Sequence, residues 1–221
     1  MTSMTASNSS VGHSSSGQAD QILLQALRQA TQSHHRQIEQ NERLTRLLQP
    51  DLTLREYQDI LGRMLGFLEP LEEAIATSPE APLLQADLGD RRKASWLVQD
   101  LLSLGLDASA IAAIPRMPAH GLPTVTTQAE AAGVLYVLEG STLGGQLISR
   151  HLARSLNIEP EQGGRFYAGY GQDNGRMWSL FRQWLGALTL DDRQIQQAAS
   201  AAVQTFAAMD QWLGREDLAH D

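Results

Sequence analysis

The 221-residue chain contains no cysteine. That absence excludes disulfides, thiolate-held zinc, iron–sulfur clusters and a cysteine nucleophile. Lysine is nearly missing as well: Lys93 is the only one among seventeen basic residues, which reads as a compositional bias toward arginine. Positive charge is outweighed overall, with a net charge of −8 and a pI near 5.2, so an electrostatic grip on nucleic acid is not expected. No apolar run approaches the roughly twenty residues that span a bilayer. No alternating run of β-branched residues argues for a sheet.

Several catalytic signatures are absent too. There is no G-x-S-x-G elbow, and Ser141 has no evident His/Asp relay. Gly140-x-x-x-Gly144-Gly145 is followed by no lysine and preceded by no strand, which removes the phosphate-loop and dinucleotide-fold readings. No E-x-x-H occurs, against a di-iron bundle.

What remains is helical periodicity from Asp20 onward. Residues 1–18 are rich in Ser, Thr, Asn and Gly and lack the apolar stretch of a signal peptide. They read as a disordered tail, residues 19–214 as one all-α domain and 215–221 as a short C-terminal tail, in a soluble, cytoplasmic protein without a membrane partner. Asp20 is the expected cap of a first helix ending near Leu48. Thr53 and Glu56 form a capping box for a second helix, kinked by Pro70 near Gly66. "TSPEAP" reads as a loop, and a third helix spans "DRRKASWLVQDLLSLGL", with Trp96/Leu97 and Leu101/Leu102 on one face. Thr126 or Thr127 caps a fourth, and two more run over 174–187 and 190–213, the last capped by Thr189 or Asp191. Glu69, Glu72 and Glu73 read as a solvated helix face, and the four tryptophans as core.

Two stretches stand out. In "ATQSHHRQIEQNE", His35 and Glu39 have the i, i+4 spacing that lets a carboxylate orient a metal-ligating imidazole. His34 instead shares the apolar stripe of Leu23, Leu27, Ala30 and Ile38. Periodicity leaves a ligand and a structural histidine equally open. In "LYVLEGSTLGGQLISRHL", each interior glycine costs a helix about 1 kcal/mol relative to alanine, so close approach of a flat partner is implied. Composition and spacing alone favour a neighbouring helix over a cofactor.

These pieces, in this order, resemble the heme oxygenases, and in particular bacterial members that make biliverdin for phytochromes. "LRQATQSHHRQIE" is similar to the family's proximal helix, "DRRKASWLVQDLLSLG" to its third helix, "EGSTLGGQ" to its glycine-kinked distal helix, and "FYAGYGQDNGRMWSLF" to the segment that follows in bacterial members. The resemblance covers about residues 21–214 and implies a single-domain helical bundle of that family's fold. It selects His35 as axial heme-iron ligand and Glu39 as the acceptor behind it. It places Arg28, Thr31, Gly140, Gly144, Gly145, Arg182 (with Arg176 as second choice) and Phe206 around heme, and Gly140, Ser141 and Gly144 at the reacting side. It implies oxygen-dependent cleavage of heme to biliverdin, ferrous iron and CO. Electrons would come from a ferredoxin or an NAD(P)H-dependent reductase, and a bacterial phytochrome would accept the bilin. Animal-type members carry Asp where this chain has Ser141, whereas bacterial relatives share "EGS". The alternative function is a heme-binding or delivery protein on the same scaffold, without turnover.

Overall fold

Three helices begin with a reciprocal cap, the first of them at the Thr53–Glu56 box read from the sequence. Thr53, Thr127 and Asp191 each accept a hydrogen bond from the backbone N–H three residues on, and Glu56, Glu130 and Gln194 each accept from the cap's own N–H. Two orphan donors are satisfied at each start. The computed structural model describes residues 15–88 and 91–215, and every regular element among them is helical. In chain order the α-helices are α1 (Ser15–Ile38), α2 (Glu42–Arg46), α3 (Leu54–Ala76), α4 (Ala81–Leu88), α5 (Ala94–Ser103), α6 (Ala108–Ala113), α7 (Gln128–Ser155), α8 (Arg165–Ala168), α9 (Asn174–Ala187) and α10 (Asp192–Leu213). No described helix is long and apolar enough to cross a membrane.

Several expected boundaries move. Helix α1 begins at Ser15 rather than at an Asp20 cap, and residues 1–14 of the expected tail lie outside the described residues. It stops at Ile38 instead of running to Leu48. Asn41 interrupts it by capping α2 through Arg43 N–H (3.1 Å) and donating its amide to Asp210 of α10 (2.9 Å). Gln37 donates to the other oxygen of Asp210 at 2.7 Å, so one carboxylate anchors the end of α1 to α10. "TSPEAP" is not all loop, because Ala81 and Pro82 open α4, where proline at the first helical positions loses no hydrogen bond. The third helix starts only at Ala94, and Leu102 is exposed while Leu97 and Leu101 are fully buried. Helix α3 passes through Pro70 without a break; the Gly66 carbonyl, deprived of a donor by the proline, accepts the Met117 N–H at 2.8 Å.

The centre of the molecule is the α7–α10 pair. Both helices present small residues there: Ala129, Ala132 and Gly133 on one, Ala198, Ala201 and Ala202 on the other, with all five alanines buried. A Cβ at Gly133 would sit 2.0 Å from the Ala198 carbonyl oxygen, so only glycine permits this approach. Helix α1 packs along α10 and α9, and α3 packs on α5, with Leu23, Leu27, Tyr57, Leu61, Leu65, Phe67 and Leu71 filling the interior. Trp184 and Trp212 are core, as expected; Trp96 and Trp178 are only partly buried.

Glu72, expected on a solvated face, is buried instead. Its carboxylate accepts from Lys93 N–H (2.6 Å) and Ala94 N–H (3.1 Å) and so caps α5 from a different helix. Burial pushes its carboxyl above the usual range, against the pull of those two N–H groups. Asp100 does the same for α8, accepting from Arg165 N–H (2.9 Å) and Phe166 N–H (2.8 Å). Burial raises Asp100 from 3.8 to about 6.

Because that value is raised in the folded state, Asp100's contribution to stability is complete below pH 3.8 and is lost as pH rises through about 6. Asp100→Asn leaves one start-of-helix N–H without an acceptor and should cost about 1–3 kcal/mol. The gap between wild type and variant should be larger at pH 4 than at pH 7, as read by denaturant melts at both.

Candidate functional site

His35 lies in the last turn of α1. Its Nδ1 is 3.3 Å from Glu39 Oε1, and both side chains are 60% exposed. A carboxylate at that nitrogen holds the ring proton there and leaves Nε2 with its lone pair outward. Nε2 has no hydrogen-bond partner among the described residues. The imidazole stands edge-on to Phe206 of α10, centroids 5.7 Å apart at 67°, and Phe206 itself is buried. His34 is partly buried, with Ser33 Oγ 3.4 Å from its Nδ1. The two histidines therefore differ: one is packed on the stripe, the other is exposed and oriented.

Among the described residues no group of three or more His, Asp or Glu gathers to hold a metal ion. One imidazole with one supporting carboxylate suits an iron whose equatorial ligands come from a porphyrin. Arg28 lies two turns before His35, about 10 Å along the axis, and is exposed. Arg182 on α9 is exposed too, and neither makes an ion pair among the described residues. Arg176 pairs with Asp173 at 3.0 Å. Thr31 is buried, its hydroxyl donated to the Leu27 carbonyl at 2.8 Å, so it serves its own helix.

Helix α7 runs unbroken through all three glycines, but they do different work. A Cβ built at Gly140 or at Gly144 meets no atom within 4 Å. These two lie four residues apart, on one face, and leave the helix backbone bare. Leu143 and Leu147, beside them, are exposed at 41% and 55%. Gly145 points elsewhere: a Cβ there would stand 2.6 Å from the Tyr167 carbonyl oxygen. It is buried against α8, where its lack of a side chain serves helix packing. The glycines thus divide between a helix–helix contact at Gly145 and an open face at Gly140 and Gly144.

Ser141 and Thr142 donate their hydroxyls to the carbonyls three residues back, Leu138 (2.8 Å) and Glu139 (2.7 Å). Such back-bonding loosens and bends a helix. Directly before Gly140 stands a group the sequence reading missed. Glu139 is 1% exposed and receives Lys93 Nζ at 2.6 Å, Arg91 Nη1 at 2.5 Å and the Tyr170 hydroxyl at 3.1 Å. Lys93, 2% exposed, also donates to the Arg91 carbonyl at 3.0 Å. Burial beside the Glu139 charge pushes the Tyr170 hydroxyl above its ordinary range. A lone lysine in "DRRKAS" and a glutamate on the apolar side of α7 were the available signals.

The arrangement is an all-helical frame carrying one oriented, exposed imidazole and one bare helix face. The Heme oxygenase family model matches residues 21–215, and the chain belongs to the heme oxygenase family. No curated protein sequence matches it. Among solved structures it is similar to a heme oxygenase from Leptospira interrogans (19% identity, TM-score 0.69, covering 87% of this chain and 98% of that one). It is similar also to the heme oxygenase of Neisseria meningitidis, solved with NO and CO bound (25%, 0.68, 89% and 94%). A third is heme oxygenase-1 of the cyanobacterium Synechocystis, solved in complex with heme (16%, 0.67, 86% and 90%).

The glycines can be told apart by substitution. Gly144→Ala fills open space and should stabilise the heme-free protein by about 0.5–1 kcal/mol. Gly145→Ala meets Tyr167 and should destabilise it by about 1–3 kcal/mol. Thermal melts of the two should move in opposite directions. His35→Ala should abolish the axial-imidazole signature in heme titrations, whereas His34→Ala should retain it and lower only the melting temperature.

Proposed function

We propose that this chain cleaves heme, with oxygen and reducing electrons, to biliverdin, ferrous iron and CO. The observation that carries the reading is the pairing, on a heme oxygenase frame, of an oriented His35 with a bare helix face at Gly140 and Gly144. Heme when bound supplies both the iron that activates oxygen and the porphyrin that is cut.

The chain's own residues do the placing. Glu39 keeps the His35 proton on Nδ1, so Nε2 is the atom offered to iron. Phe206 fixes the plane of that imidazole and gives the porphyrin an apolar surface. Arg28 and Arg182 supply cations for the propionates. On the opposite wall, Gly140 and Gly144 let backbone, rather than side chains, roof the site. No histidine or arginine occurs within 140–145, so the roof holds no strong acid. Ser141 spends its proton on the Leu138 carbonyl; its oxygen is left as an acceptor, which can hold a water's proton at Oγ and orient that water. Leu143 and Leu147 exclude bulk solvent at the edge.

The "EGS" sequence and the "FYAGYGQDNGRMWSLF" segment support a place among bacterial enzymes that provide bilin to a phytochrome. The electron donor is a ferredoxin or an NAD(P)H-dependent reductase, and the setting is the cytoplasm. Anaerobic loading with heme, then addition of oxygen and a reductant, with chromatography of the pigment, tests the activity. The expected outcome is loss of the Soret band and a biliverdin peak. An intact Soret band on tightly bound heme would instead make the protein a heme carrier, and absence of binding would remove both readings.

A further inference from the structure

The bare face of α7 raises a mechanical problem. A helix carrying three glycines within six residues, and two hydroxyls that compete for its carbonyls, is soft there. A roof made only of backbone works at one height and orientation, so something must hold this turn from behind. Behind it lies the segment 165–174. Gly145 closes on the Tyr167 carbonyl, and Gly169 closes on Thr142 Cβ, 3.4 Å from where its own Cβ would stand. Asn174, 1% exposed, locks the segment into shape, accepting from Tyr170 N–H at 2.8 Å and donating to the Ala168 carbonyl at 2.9 Å. The same segment sends the Tyr170 hydroxyl to Glu139. Across from it, Lys93 and Arg91 bring two cations from the irregular segment before α5 to that carboxylate. Arg91 also donates to the Met177 carbonyl of α9 at 3.2 Å.

We infer that Glu139, gripped by Lys93, Arg91 and Tyr170, is the positioning residue of the oxygen side: it pins the turn of α7 that precedes Gly140 and so sets where the Gly140–Gly144 backbone stands over heme. This rests on the proposed activity for its purpose, though not for its mechanics. The carboxylate touches neither heme nor oxygen; it acts through the helix. Two cations on one buried carboxylate make the grip stiff, because in a low-dielectric interior pulling either one away from Glu139 separates opposite charges without water to replace the contact. Tyr170 adds the hydrogen bond that ties the grip to the 165–174 segment. The outcome of a loosened grip is a change in which meso edge of heme is cut, since the roof steers that choice, with the proximal His35 contact left intact.

The test uses Tyr170→Phe, which removes one hydroxyl and keeps the ring, together with Glu139→Gln. The first readout is amide hydrogen exchange in the heme-free, full-length protein. Amides of residues 140–146 should exchange about ten- to a hundredfold faster in Tyr170→Phe, the loss expected for one hydrogen bond to a charged group, while those of α10 near Ala198–Ala202 stay unchanged. The second is the ratio of biliverdin isomers, which should broaden while the heme titration and its axial-histidine spectrum match wild type. Unchanged exchange at 140–146 in Tyr170→Phe, with an unchanged isomer ratio, would overturn the proposal. Glu139→Gln removes the carboxylate charge that Lys93 and Arg91 share; if it folds, its effects should exceed those of Tyr170→Phe in the same residues, and effects spread evenly over the molecule would count against a local clamp. Should wild type fail to bind heme, the exchange measurement still decides the clamp, so the two readings fail separately.

Discussion

The approach of α7 to α10 is the constraint from which the remainder follows. With only backbone at Gly133 and alanines around it, α7 and α10 touch almost main chain to main chain. That contact fixes one end of α7 and leaves the stretch after Glu139 free to turn a bare face outward. It also makes α10 the common wall: α1 lies along it, Asp210 ties down the end of α1, and Phe206 backs His35. The imidazole and the glycine face are thus held by one shared helix, not by contact with each other.

Buried carboxylates are the second organising theme. Glu72, Asp100 and Glu139 each leave water to serve a part of the chain distant in sequence: the start of α5, the start of α8, and the irregular segment carrying Arg91 and Lys93. Desolvating them costs several kcal/mol per charge, as the raised values of Glu72 and Asp100 record. Those costs are offset by satisfying helix-start N–H groups or by pairing with buried cations. All three gather around the 91–103 and 165–174 segments, which lie behind the Glu139–Gly145 stretch of α7. The polar interior is placed where the glycines weaken α7.

What was legible in the sequence was local. The Thr53–Glu56 capping box, the span of α9 and the His35–Glu39 spacing depend on residues close in sequence, and all appear as read; for α7 and α10 the structure selects Thr127 and Asp191 from the two caps left open for each. The all-α class followed from periodicity, and the family from motifs that sit within single helices. What escaped were features decided by partners far along the chain. The break after Ile38 depends on Asp210, 169 residues beyond Asn41. Glu72 looked solvated because the N–H groups it caps lie 21 and 22 residues away. Gly140, Gly144 and Gly145 are alike in sequence, and only the path of Tyr167 separates Gly145 from the other two.

Lys93 carries a consequence outside chemistry on heme. It is the sole lysine, it is 2% exposed, and its ammonium is held by Glu139. The folded surface therefore offers no side-chain amine at all; its basic groups are guanidinium or imidazole. Acylation, amine crosslinking and conjugation through an isopeptide bond, all of which need a free ε-amine, find no side-chain target until the molecule opens. The chain thus carries a single internal tag whose labelling reports opening of the segment that holds Glu139 and the adjoining turn of α7.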